Sequence, residues 1–178
     1  MEAKVHSFQE RLMFSQAASD EPFWGDVYRR AFPSFNCMSS TIGNREAQLC
    51  GVDRIIVLDN GVTRRVDEKK RSQTYPDILL ETVSNDQTGA PGWMNKDLQI
   101  DYLAYAFMDT QRVHFFPWDF LRRAWHHHGK DWEYRFPHKV ARNHGYCTIS
   151  VAVPIPVLTR VLATAFVVDR VPARRLAP

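Results

Sequence analysis

Five residues in the first half of the chain stand at a spacing that could do chemistry. Asp53 lies in the string GVDRIIVL, Asp67, Glu68, Lys69 and Lys70 lie in VTRRVDEKKR, and Asp59-Asn60-Gly61 separates the two. Both strings are rich in β-branched residues, and an Asn-Gly pair between them is a strong hairpin signal. If the loop has three residues, with Gly61 in the left-handed position, Asp53 faces Asp67. Side chains two apart share a face, so Lys69 joins them. A two-residue Asn60-Gly61 turn would shift the pairing by one and bring Glu68 and Lys70 to Asp53 instead. In either register two carboxylates about 5 Å apart lie beside an ammonium. Like charges this close repel, and a divalent cation removes the penalty. Magnesium takes one or two carboxylates together with waters and substrate phosphates. A neighbouring lysine can orient or deprotonate water, or stabilise charge in a transition state. The arrangement suits metal-dependent hydrolysis of a phosphodiester.

The elements that must hold these residues can be read from pattern. Ser7 and Glu10 form a capping box for a first helix carrying Phe8, Leu12 and Met13. A second helix starts at Glu21-Pro22 and stops before Pro33, and residues 33–47 read as loop. Strands are expected at 48–58, 62–70 and 78–84, followed by a turn-rich loop at 85–92. Residues 98–108 and 112–117 read as two further strands around Asp109-Thr110-Gln111. Residues 118–128 read as an amphipathic helix ended by Gly129, and 130–143 as a polar connector. A strand at 146–153 and a helix at 157–165 close the order. The expectation is an α/β (α+β) fold, a mixed β-sheet flanked by helices, with residues 1–168 as a single domain and 169–178 as a flexible tail.

Composition agrees with this architecture. The chain has 178 residues, 44% hydrophobic and 24% charged, which is a globular profile. A net charge of +3 neither requires nor excludes nucleic acid. Cys37, Cys50 and Cys147 are odd in number and far apart, so no disulfide framework or zinc site is encoded locally. The start, MEAKVHSFQE, has no apolar run, so no signal peptide is expected, and Pro154, Pro156 and Arg160 break the apolar stretch at 151–168. An intracellular, cytoplasmic protein without a membrane partner is the expectation.

Asp53 followed by Asp67-Glu68-Lys69 resembles the PD-(D/E)XK signature of the restriction-endonuclease-like nuclease superfamily, although Val52 and not Pro precedes Asp53. The strings VDEKKR, DILLETVSND and GWMNKDLQIDYLAYAF are also similar to nuclease-like proteins of phages and mobile elements, a likeness spanning residues 50–155. The resemblance implies a restriction-endonuclease-like sheet built from a helix, three successive strands, a helix and a last strand, with 98–117 as an added strand pair. It implies Asp53 and Asp67 as metal ligands for Mg²⁺ (or Mn²⁺) and Lys69 as the catalytic lysine. Glu10 on the first helix is the candidate for a further carboxylate, and Glu81 for another ligand or a substrate-facing group. Nucleic acid, DNA rather than RNA, is the implied substrate, and a phage-encoded protein in a bacterial host the implied setting. Homodimerisation or a place in a larger complex stays open.

Other residues carry weaker signals. Arg64, Arg65, Lys70 and Arg71 could line a phosphate channel, against the plain reading of a solvated face. Trp93 with Lys96 could grip a nucleic-acid strand, although a hydrophobic lid over the sheet edge is favoured slightly for the indole. His126-His127-His128 point in different directions on a helix and cannot chelate one ion together. Tyr102, Tyr105, Phe115 and Phe116 read as core. No GxGxxG, Walker, GxSxG or HExxH pattern is present. Two rivals to the enzyme remain. One is a catalytically inactive nuclease-like binding protein, such as an inhibitor of a host defence complex. The other is a structural subunit with the acidic hairpin at an interface.

Overall fold

The computed structural model describes residues 22–162 and 166–169. The first expected helix, with Glu10, lies outside them. Helix α1 (Pro22–Ala31) starts on proline, whose missing N–H costs nothing at a helix N-terminus. It buries Phe23, Trp24, Val27 and Tyr28, one stripe at helical spacing. The next segment departs from expectation. Residues 33–47 contain strand β1 (Phe35–Ser40) and the short helix α2 (Arg45–Leu49), which Asn44 caps by accepting the Ala47 amide at 3.0 Å. Strand β1 is a mostly exposed edge strand, so it lacks the alternation that would have marked it.

Strands β2 (Arg54–Leu58) and β3 (Thr63–Arg71) form the expected hairpin. The loop is the three-residue form, with Gly61 at φ 78° and its amide on the Leu58 carbonyl at 2.8 Å. Arg54 pairs with Val66 and Ile56 with Arg64, the register that sets Asp53 toward Asp67. The alternative register is not formed. Strand β2 begins only at Arg54, since residues 45–49 have gone into α2.

Strand β4 (Asp77–Asn85) does not continue this meander. It leaves for a second sheet, where it pairs antiparallel with β9 (Cys147–Pro154) and with the two-residue β5 (Ala90–Pro91). Its place beside β3 is taken by β6 (Tyr102–Phe107), which runs parallel to β3 and antiparallel to β7 (Arg112–Pro117). The expected add-on pair is therefore central. The reason lies in YLAYAF itself: five of its six residues are buried, so both faces need cover. Strand β10 (Phe166–Asp169) closes the far edge against β7.

Helix α3 (Trp118–Arg135) runs straight through Gly129 and ends at Phe136, ahead of Pro137. Proline disfavours helical geometry in the residue before it, which sets that end. The expected connector at 130–143 is thus helix and then β8 (His138–Arg142), the exposed edge of the second sheet beside β9. Helix α4 (Ile155–Val161) follows β9 directly.

The first sheet has the order β1-β2-β3-β6-β7-β10 and the second β5-β4-β9-β8. The parallel β3–β6 pair makes the first sheet mixed, and helices flank the two sheets, as expected for an α+β chain. Two cores follow from strand alternation. Ala104, Ala106, Val66 and Ile56 face α1, whereas Leu103, Tyr105 and Phe107 face Ile78 and Leu80 of β4, Val151 and Val153 of β9, and α3. Among the described residues no helix is long and apolar enough to cross a membrane.

Candidate functional site

Asp67 and Lys69 project from the face of β3 that looks toward the second sheet, beside Leu103 and Tyr105 of β6. Asp53 stands just before β2, where the ladder becomes irregular. Its amide donates to the Val66 carbonyl at 2.9 Å and its Oδ2 accepts the Glu68 amide at 2.8 Å. The Asp53 carboxylate thereby replaces a backbone acceptor, on the side of the hairpin where the register places Asp67.

Asp67 is 2% exposed. Lys69 Nζ donates to its Oδ1 at 2.5 Å, while its Oδ2 is buried and has no hydrogen-bond donor. A buried carboxylate oxygen without a donor is costly. Burial, with the Asp53 charge beside it, raises the Asp67 pKa to about 7 against the opposing pull of Lys69. Burial lowers the Lys69 pKa, but Asp67, Asp53 and Glu81 outweigh it and hold the ammonium above the ordinary lysine value. The Lys69 side chain remains 32% exposed, so the pair opens to water.

Glu81 reaches this group from the second sheet. Its Oε1 accepts the Trp93 amide at 3.3 Å, burial raises its pKa, and the charges of Lys69 and Lys96 draw it down again. The site is therefore built from three segments: the approach to β2, the middle of β3, and β4 with the 3₁₀ turn Trp93–Asn95.

Glu68 and Lys70 belong to the opposite face, toward α1. Glu68 accepts the Tyr28 hydroxyl at 2.6 Å and Arg54 Nε at 3.0 Å, a buried trio that leaves it no role at Asp53's carboxylate beyond its amide. Lys70 lies 6.0 Å from the Trp24 ring. The expected basic channel is divided. Arg64 shares the α1-side face of β3 and donates to the Thr63 carbonyl at 3.2 Å. Arg65, exposed on the site's face, lies 3.6 Å from Asp101. Arg71 is held by Asp77 at 2.8 Å and stacks on Tyr75 at 3.7 Å, so it ties β3 to the start of β4.

Trp93 is buried against Trp118, with ring centroids 6.3 Å apart, and is core rather than a stacking platform. The three histidines at 126–128 are exposed along α3, and His128 stacks on Trp132. Tyr105, Phe115 and Phe116 are buried and Tyr102 is half-buried, as expected of core. Sequence reasoning missed the Tyr28–Glu68–Arg54 trio, whose members are up to forty residues apart. It also missed the link from Trp93 to Glu81, for which no local signal exists.

Among the described residues no set of three or more His, Cys, Asp or Glu side chains gathers as a ready-made metal cage. The donor set that does exist is two facing carboxylates, one with a bare buried oxygen, and such a pair fits a hard cation that keeps most of its waters. No protein-family description, curated protein or solved structure matches the chain.

Proposed function

We propose that the protein is a metal-dependent nuclease that hydrolyses phosphodiester bonds, with DNA as its substrate. The observation that carries this reading is the bare, buried Asp67 Oδ2 in a carboxyl group paired by register with Asp53, with the Lys69 ammonium on the neighbouring oxygen. Asp53 and Asp67 are the residues that would hold Mg²⁺ or Mn²⁺. When bound, such an ion supplies Lewis acidity toward the phosphodiester and lowers the pKa of water.

The remaining roles belong to the chain. Burial of Asp67 between the sheets excludes water from one side of the carboxylate pair, which strengthens every charge interaction there. Asp67 and Asp53 keep Lys69 protonated, so it enters the reaction as a cation placed to neutralise charge that develops on the phosphoryl oxygens. Lys69 is partly exposed, so a phosphodiester can approach it from solvent. Hydrolysis forms one P–O bond from water and breaks one P–O ester bond. The water's proton leaves to solvent and the departing ester oxygen takes one up, giving a phosphate monoester and a free hydroxyl.

The test is cleavage of linear, branched and single-stranded DNA with Mg²⁺ or Mn²⁺. Lys69→Ala and Asp67→Asn are each expected to slow cleavage by about 10²-fold or more. Absence of cleavage by the wild-type chain on every substrate, or cleavage that persists in Lys69→Ala, would remove this reading in favour of a non-catalytic binding protein.

A further inference from the structure

A cavity of about 470 Å³ lies between helix α3 and the 3₁₀ turn at Trp93–Asn95. Five basic side chains line it: Lys96, Arg122, His126, His127 and Lys130; the acidic group on its wall is Glu133. Arg122, His126 and Lys130 follow one another at intervals of four along α3, so they share one helix face. Arg122 is held in place by Asp97 at 2.7 Å.

The groove has a fixed floor and a fixed link to the site. Trp125 donates its indole N–H to Asn95 Oδ1 at 3.1 Å, and Asn95 Nδ2 donates to the Thr82 carbonyl of β4 at 3.0 Å. These two bonds clamp α3 to the strand that carries Glu81. Lys96 lies on the groove wall, directly after the 3₁₀ turn whose Trp93 amide donates to Glu81 Oε1 at 3.3 Å. Lys96 and the α3 cations therefore stand next to the turn whose amide Glu81 accepts. None of these α3 residues belongs to the hairpin motif.

We infer that this groove is the track for the phosphodiester backbone of a nucleic-acid strand, delivering it to Lys69 and the two aspartates. The inference rests on the nuclease reading for where the strand leads, but not for the binding itself. Clustered lysine and arginine on one helix face, over an aromatic floor, is the chemistry that neutralises successive phosphates without reading bases. A strand bound this way is held by counterion release, so its affinity falls steeply with salt.

Binding of a 5′-labelled 20-nucleotide DNA strand, followed by fluorescence anisotropy in EDTA across a salt series, tests this apart from catalysis. The double variant K96E/K130E is expected to bind at least about tenfold more weakly than wild type. Its plot of log affinity against log salt should be shallower by about 1.4 units, about 0.7 for each of the two phosphates that are no longer neutralised. Lys139→Glu, on β8 outside the groove, should bind as wild type does. Circular dichroism checks folding; if K96E/K130E does not fold, K96Q/K130Q replaces it, with at least about a threefold loss expected and the same logic. Equal binding by wild type and the groove variant overturns the inference. So does displacement of the strand by inorganic phosphate at matched phosphate concentration, which would mark a small-anion site. Binding in EDTA and cleavage with Mg²⁺ are read separately, so the two proposals have different failing results. Groove-dependent binding without any metal-dependent cleavage keeps the track and removes the nuclease, while cleavage with groove-independent binding does the reverse.

Discussion

Asp67 concentrates the energetic conflict of this molecule in one carboxyl group. Its folded pKa of about 7 lies above the ordinary aspartate value, because burial and Asp53 both disfavour its charge. The folded state then holds a proton that the unfolded chain has released, at every pH between the two values. Stability must therefore fall as pH rises through that window, with the full penalty present above the folded pKa and none below the unfolded one. A shift of this size corresponds to about 4 kcal/mol at most, at about 1.4 kcal/mol per unit. Urea midpoints in EDTA should accordingly drop between pH 5 and pH 8 in the wild-type chain and much less in Asp67→Asn. At pH 8 the variant should be the more stable by about 1–3 kcal/mol. A variant with the same pH slope as wild type would show that Asp67 is ionised at no cost. Glu68, one residue away, has the opposite fate: Tyr28 and Arg54 satisfy both of its oxygens, so it stabilises the hairpin against α1 and has nothing left to bind.

At the scale of elements, the site depends on how closely the 3₁₀ turn can sit on β4. Gly92 donates its amide to the Thr82 carbonyl at 2.9 Å, and a Cβ at that position would stand 2.3 Å from the Glu81 carbonyl oxygen and 2.7 Å from the Thr82 nitrogen. Both neighbours are backbone and cannot swing away. Gly92→Ala should push the turn off the strand, break the Trp93–Glu81 hydrogen bond and cost about 1–3 kcal/mol. Urea unfolding followed by tryptophan fluorescence reads both the loss and the altered environment of Trp93; an unchanged midpoint would contradict the close approach. The hairpin, by comparison, was legible in advance. Asn60-Gly61 between two β-branched runs predicts the turn and leaves two registers, and the structure selects the one that puts Asp67 and Lys69 on Asp53's side. The exit of β4 to a second sheet was not legible. Its alternating pattern of Ile78, Leu80 and Thr82 fits any half-buried strand and does not say which sheet receives it.

For the molecule as a whole, the two sheets and α3 share one core. Leu80, Leu103, Phe116, Trp118, Leu121 and Val151 are all fully or almost fully buried in it. Unfolding one sheet would expose the other, so the two should melt together. Leu80→Ala should lower stability by about 2–5 kcal/mol and shift a single calorimetric transition, with Trp fluorescence and far-UV circular dichroism moving in step. Two separate transitions would mean that the sheets are independent units. The same sharing puts the candidate site at the seam, with Asp67 and Lys69 on one sheet, Glu81 on the other, and the basic groove of α3 alongside.

What the sequence determined by itself is whatever short-range physics decides. The Asn-Gly turn, the period-two alternation and the proline-led start of α1 act over a few residues, and the first two narrow the partners of Asp53 to Asp67 with Lys69 or Glu68 with Lys70. Only the tertiary structure decided which face of that hairpin is buried, that β6 runs parallel at its side, and that Glu81 and α3 come to meet it. Those outcomes depend on which apolar surfaces cover one another across many tens of residues, and no local pattern encodes that choice.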